Sequence, residues 1–139
     1  MRHSRRNVLV VGIGGFAAAA LPAAPARAAV GDAMAAFAGG ATVADGGITL
    51  SAPEIAENGN AVPIGITAPG AVAIALFAGG NPEPLVTEVT FGPAAGSQAL
   101  ATRIRLAQSQ EVIALARMAD GSVVRARAEV KVTIGGCGG

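Results

Sequence analysis

The chain has 139 residues, is 52% hydrophobic and carries 20 glycines and 8 prolines, which suits one small globular domain and excludes a long disordered protein. It has no Trp or Tyr and only four Phe (Phe16, Phe37, Phe77 and Phe91), too few rings for base-stacking platforms, sugar-stacking sites or methyl-lysine cages. The formal charge of +1 comes from the start of the chain. Beyond residue 28, six basic residues stand against nine acids, a balance of −3 without a basic cluster and a poor match to nucleic acid.

Residues 1–28, "MRHSRRNVLVVGIGGFAAAALPAAPARA", have the three parts of an export signal: a basic start, an apolar run from Val8 to Leu21, and a Pro- and Ala-rich stretch ending in Ala26-Arg27-Ala28. The apolar run falls short of the roughly 20 residues that a spanning helix needs. Arg5-Arg6 after Ser4, followed by "NVLV", resembles the twin-arginine motif of bacterial Tat signals. The weak hydrophobicity of the run, with Gly12, Gly14 and Gly15, is also Tat-like. An uncut N-terminal anchor is the alternative for this segment. No cysteine follows the run, which removes lipoprotein anchoring. The mature chain is expected to begin near Ala29 and to reside in the periplasm. His3, the only histidine, leaves with the signal, so no histidine-based metal site or catalytic dyad is expected.

Residues 29–134 are expected to form one domain, a short helix followed by β-structure. "VGDAMAAFAGG" (Val30 to Gly40) predicts the helix, with Gly39-Gly40 as its stop. Strands are predicted over Ile48–Ser51, Val62–Thr67, Ala71–Phe77, Leu85–Phe91, Leu100–Leu106, Gln110–Met118 and Val124–Ile134. The last has the cleanest period of two: Val124, Ala126, Ala128, Val130, Val132 and Ile134 on one face, Arg125, Arg127, Glu129, Lys131 and Thr133 on the other. Turn signals separate the strands, and Asp120-Gly121 predicts a hairpin. Seven short strands with no helical pattern between them predict an all-β, immunoglobulin-like antiparallel sandwich. Its usual inter-sheet disulfide cannot form, because the chain has one cysteine.

Within the domain, "APEIAENGN" (Ala52 to Asn60) carries Glu54, Glu57, Asn58 and Asn60 but lacks the Asp-rich spacing of a calcium loop. Its plain reading is a polar turn. "AGGNPEP" (Ala78 to Pro84) has no following helix with a Lys-Ser/Thr pair and is read as a loop, not a phosphate cradle. Arg103 and Arg105 share one strand face, a solvated or interfacial surface in the plain reading and an anion site in the sharper one.

The chain closes on residues 135–139, Gly-Gly-Cys-Gly-Gly. Glycines have no side chains to pack and lose much backbone entropy when fixed, so the tail is expected to be a flexible arm that exposes Cys137. Five residues extend about 17 Å at most. Nearby there is no base, metal partner or resolving cysteine to make Cys137 a self-sufficient catalyst. Prenylation is excluded, because its signal needs three residues after the cysteine and two are present. Three readings stay open on these residues alone: a thiol that other proteins act upon, a structural or adhesion module with an intermolecular disulfide, and a thiol enzyme such as a peroxidase. The disulfide module does not explain the glycines, and the enzyme usually needs an ordered, activated cysteine.

The Arg5-Arg6 signal, "APEIAENGN", "TRIRLAQSQ" (Thr102 to Gln110) and above all "EVKVTIGGCGG" (Glu129 to Gly139) resemble the SoxY family, the sulfur-compound carriers of the periplasmic thiosulfate-oxidising (Sox) system. The resemblance runs over essentially the whole chain, although "VGDAMAAFAGGATVADGG" contributes no residue-by-residue match. It implies a non-catalytic carrier with no cofactor or metal of its own. Cys137 would be the covalent attachment site for sulfur intermediates, on an arm of Gly135, Gly136, Gly138 and Gly139. It further implies a heterodimer with SoxZ and transient docking with three enzymes. These are a haem-containing enzyme that couples thiosulfate to the thiol, a hydrolase that releases sulfate, and a sulfane dehydrogenase. The SoxZ contact is expected on a sheet face or edge that includes the Arg103/Arg105 strand.

Overall fold

A computed structural model describes residues 26–133. The predicted signal up to residue 25, Ile134 and the arm with Cys137 lie outside the described residues. Helix α1 spans Ala26–Ala38. It begins four residues before the expected Val30 and runs across the expected cleavage point after Ala28. Nine strands follow: β1 Val43–Asp45, β2 Thr49–Ser51, β3 Ile55–Ala56, β4 Val62–Thr67, β5 Ala71–Ala78, β6 Leu85–Thr90, β7 Ala99–Ile104, β8 Gln110–Met118 and β9 Val123–Val132. All seven predicted strands are present. β1 and β3 are the additions, and with three and two residues they are too short to show a period.

The chain forms a mostly β, immunoglobulin-like sandwich with one helix against its outside. The larger sheet has the order β1-β9-β8-β5-β6, with β3 also paired to β9, and the smaller has the order β2-β4-β7. Pairings among the longer strands are antiparallel, as the turn signals require, but β1 and β3 both run parallel to β9. The sheet is therefore mixed at that edge and not purely antiparallel as expected. Both short strands are reached over the body of the domain and not through a hairpin.

Alternation explains the layers. In β4, Val62, Ile64 and Ile66 are buried and Pro63 and Thr67 exposed, so one face meets a core and the other meets water. β5 reads "AVAIALFA" and is buried nearly throughout because both its faces are covered. Ile74, Leu76 and Ala78 pack toward the smaller sheet with Val112, Ala114, Val130 and Ile104. Ala73, Ala75 and Phe77 pack the other way, with Leu115, Val123 and the helix residues Phe37 and Ala38. Val72 is exposed because the β5–β8 register skips it.

The helix binds through Val30, Ala33, Met34 and Phe37, the i, i+3, i+4, i+7 stripe of an amphipathic helix. Phe37 meets Phe77 edge-on with ring centroids 6.3 Å apart. The Arg117 guanidinium lies 4.6 Å from the Phe37 ring centre and also donates to the Phe37 carbonyl. That places a cation on the carbonyl-rich end of the helix, where it is favoured. Gly39 and Gly40 end the helix as predicted, with φ of 61° and 90°, values that residues with a Cβ avoid. Among the described residues no helix is long and apolar enough to cross a membrane.

β1 is held to β9 by an exposed two-pronged ion pair, Arg125 Nε to Asp45 Oδ1 at 2.8 Å and the second guanidinium nitrogen to Oδ2 at 3.1 Å. The Arg125 hydrogen bond holds the Asp45 carboxyl below its usual range. A carboxylate whose folded pKa is depressed contributes stability above its unfolded value of about 3.9, and loses that contribution as pH falls through the folded value. The pair is solvent-screened, so the effect is local. Exchange protection of the Gly46 amide, which donates to the Arg125 carbonyl, is expected to hold steady from neutral pH to about pH 5 and to fall below about pH 4. Asp45→Asn should remove that step in amide exchange followed by NMR.

Candidate functional site

The last described turn of chain, Lys131 to Thr133, is fastened on both sides. Opposite the β8 side, β3 pairs with it in the register Ile55↔Lys131 and Ala56↔Val132. The Lys131 amide donates to the Glu54 carbonyl at 2.9 Å, and the Thr133 amide donates to the Ala56 carbonyl at 3.1 Å. On the other side β8 begins only at Gln110, opposite Val130. The Ser109 side chain continues the ladder: its Oγ accepts from the Val132 amide at 2.8 Å and donates to the Val132 carbonyl at 3.3 Å. One hydroxyl thus replaces a missing strand residue. Val130 is fully buried below this fastening.

The turn Asn58–Asn60 packs under the same point. Asn58 Oδ1 accepts from the Asn60 amide at 3.0 Å, and the Gly59 carbonyl accepts from the Leu106 amide at 2.7 Å. A Cβ at Gly59 would lie 2.8 Å from the Leu106 carbonyl oxygen and 2.9 Å from Val132 Cγ1. Backbone would have to move, and overpacking of this kind costs about 1–3 kcal/mol. Gly59→Ala is expected to lose that much stability in urea denaturation and to loosen the Val132 end of β9.

Asn81 organises the segment that delivers Ser109. Its Nδ2 donates to the Arg105 carbonyl at 2.7 Å, and its Oδ1 accepts from the Ala107 amide at 2.9 Å and from Gln110 Nε2 at 3.0 Å. Gln110 Oε1 accepts from the Gly80 amide at 2.8 Å. The loop read from "AGGNPEP" is therefore a loop, and its asparagine acts as a template for residues 105–110.

The structure brings together two stretches that lie far apart in sequence. "APEIAENGN" is more than the expected polar turn, since it supplies β3 and the Gly59 turn. "TRIRLAQSQ" supplies the end of β7, the Asn81 anchor points and Ser109. Both converge on the residues from which the predicted arm departs. Arg103 is exposed on β7, an edge strand of the smaller sheet, and Arg105 lies just past the end of that strand. Neither reaches the fastening through its side chain among the described hydrogen bonds. Cys137, Gly135, Gly136, Gly138 and Gly139 lie outside the described residues. Sequence reasoning missed Ser109, Gly59, Asn81 and Ile55. The local signal for the first three was only turn chemistry.

Among known proteins, the family model described as "Sulfur oxidation protein SoxY" matches residues 34–137, most of the chain and through Cys137. The chain belongs to the SoxY family. The sulfur carrier protein SoxY from Chlorobium limicola f thiosulfatophilum shares 33% identity and superposes with a TM-score of 0.68, covering 78% of this chain and 99% of the other. Two superoxide reductases have the same fold at lower identity. One is the neelaredoxin from Ignicoccus hospitalis, with 19% identity, TM-score 0.55 and coverage of 63% and 81%. The other is a superoxide reductase assigned as such in Thermotoga maritima, with 19% identity, TM-score 0.53 and coverage of 70% and 90%. These two share the SoxY fold alone. A comparison with curated proteins found no match.

Proposed function

We propose that this SoxY-family chain is a non-catalytic carrier of sulfur intermediates, loaded on Cys137 and presented to partner enzymes in the periplasm. The observation that carries the reading is the family match, which extends from residue 34 through the single cysteine. The C. limicola protein of the same fold is a sulfur carrier. The firm fastening of β9 up to Thr133 supports it further. An arm that is to be inserted into other active sites needs a fixed origin, and β3 and Ser109 provide one. The Tat-like signal accounts for export.

The chemistry divides between carrier and partners. In loading, a bond forms between Cys137 Sγ and the outer sulfur of thiosulfate. The thiol proton is released, and two electrons pass to a haem-containing coupling enzyme. In release, water attacks the terminal sulfone sulfur and sulfate leaves, with the outer sulfur left on Cys137 as a persulfide. A sulfane dehydrogenase then acts on that sulfur. The chain itself contributes a nucleophile on a narrow tether, and glycines on both sides leave nothing to clash in a channel. Partnership with SoxZ, through a sheet face or edge that includes β7, completes the proposed assembly.

Intact-mass analysis of the mature protein from thiosulfate-grown cells tests the reading. Thiosulfonate and persulfide adducts on Cys137 are expected. A disulfide-linked dimer mass would favour a structural module instead, and stepwise oxygen additions a peroxidatic thiol.

A further inference from the structure

Asn58-Gly59 is the one Asn-Gly pair in the chain, and asparagine is a thermolabile residue. The backbone nitrogen of the residue after an asparagine can attack its side-chain carbon and close a cyclic imide. Glycine puts no Cβ in the way of that attack. The fold leaves the step open at Asn58. The residue is exposed, so water reaches its carboxamide. Its Oδ1 accepts from the Asn60 amide at 3.0 Å, which folds the carboxamide back toward the Gly59 peptide and draws electrons from its carbon. The Gly59 nitrogen donates in none of the described hydrogen bonds, so it is free to attack.

The comparable positions among the described residues are closed. Asn60 precedes Ala61, whose Cβ hinders the approach and whose amide already donates to the Asn58 carbonyl at 3.3 Å. Asn81 precedes Pro82, which has no N–H to give up. Asp45-Gly46 and Asp120-Gly121 have the glycine but not the electrophile. Hydrogen bonds from Arg125 and Ser122 hold these two carboxyls below their usual range, and an anionic carboxylate resists attack. Their glycine amides are engaged as well, with the Arg125 and Met118 carbonyls.

We infer that Asn58-Gly59 is a self-modifying site, at which the chain converts to isoaspartate and so releases the end of β9. In the first step the Gly59 nitrogen bonds to Asn58 Cγ, the Cγ–Nδ2 bond breaks, and the proton of that nitrogen leaves with ammonia. Water then opens the imide. Opening at Cγ gives aspartate. Opening at the main-chain carbonyl gives isoaspartate, with the backbone rerouted through the side chain and a free carboxylate left beside it. The new backbone is longer by one methylene, and Gly59 has no slack to absorb it. A Cβ there would already lie 2.8 Å from the Leu106 carbonyl oxygen and 2.9 Å from Val132 Cγ1. The bond from the Leu106 amide to the Gly59 carbonyl, at 2.7 Å, is lost first, and the packing on Val132 goes with it. The inference stands whether or not Cys137 carries sulfur.

The test ages the full mature chain, kept reduced, at neutral and at mildly alkaline pH, and follows each asparagine by peptide mapping with mass spectrometry. Asn58 is expected to convert about tenfold or more faster than Asn60 and Asn81. Conversion should be faster at the higher pH, because the attacking nitrogen must lose its proton. Amide exchange followed by NMR then compares fresh and converted protein. Leu106 and Thr133 are expected to exchange about tenfold faster after conversion, while Ala114, paired on both sides within the larger sheet, is unchanged. Asn58→Ser keeps an oxygen for the Asn60 amide but has no carboxamide, and it should age without either change. Conversion of Asn58 no faster than that of Asn60 would overturn the inference. So would conversion that leaves exchange at Leu106 and Thr133 unchanged, or the same loss of protection in aged Asn58→Ser.

Discussion

Cys137→Ser is expected to abolish sulfur loading completely, with the fold and the pairing with SoxZ unchanged. Cys137 is the only thiol in the chain, so no second sulfur can take its place. Serine preserves size, but its oxygen cannot form the sulfur–sulfur bond on which loading depends. Stability should be unaffected, since the residue lies five positions beyond Val132, the end of β9. The measurement is intact mass after incubation with thiosulfate and the coupling enzyme, with circular dichroism and size-exclusion chromatography as controls. Adducts on the serine variant would sink the carrier assignment. Loss of the fold in that variant would mean that the tail packs against the domain, contrary to the role of an arm.

Phe77→Ala is expected to be the most destabilising single truncation among the described side chains. Phe77 is the largest fully buried side chain and sits in β5 at the centre of the layer between the larger sheet and α1. Removing a buried phenylalanine typically costs 3–5 kcal/mol, from lost transfer energy and the cavity left behind. That is a large share of the roughly 5–15 kcal/mol that holds a domain together. The melting temperature should fall by about 4 °C or more for each kcal/mol. Phe37→Ala should cost less, because Phe37 lies at the edge of this layer and its loss mainly frees the helix end and Arg117. Equal losses for the two variants, measured by urea denaturation, would overturn this ranking, and no loss for Phe37→Ala would show that the helix and sheet do not share one cooperative core.

The six longer strands, β4 to β9, were legible because each carries its own period or apolar run, and β2 was found as the short stretch Ile48–Ser51. β5 shows the limit of that reading. Its run of apolar residues identified a strand, but only the structure showed why neither face is polar: the smaller sheet covers one and α1 the other. β1 and β3 were not legible, since two or three residues hold no period. Their partner, β9, is recognised through backbone bonds that any residue could make.

The carrier site divides in the same way. Cys137, its flanking glycines and the proposed export signal are local features, readable from residue types and spacing alone. The strand pattern and the turns are local too, because side-chain alternation and glycine or asparagine chemistry act over a few residues. What holds the root of the arm is not local. Ser109 reaches Val132 across 23 positions and Ala56 meets Thr133 across 77, and Gly59 is constrained by a carbonyl on Leu106. The sequence by itself determined most of the elements that form and which thiol is proposed to carry the cargo. Which elements meet, and so what anchors the arm and what surface lies beside it, was decided by tertiary packing, because hydrogen bonds between distant backbones leave no periodic trace in the chain.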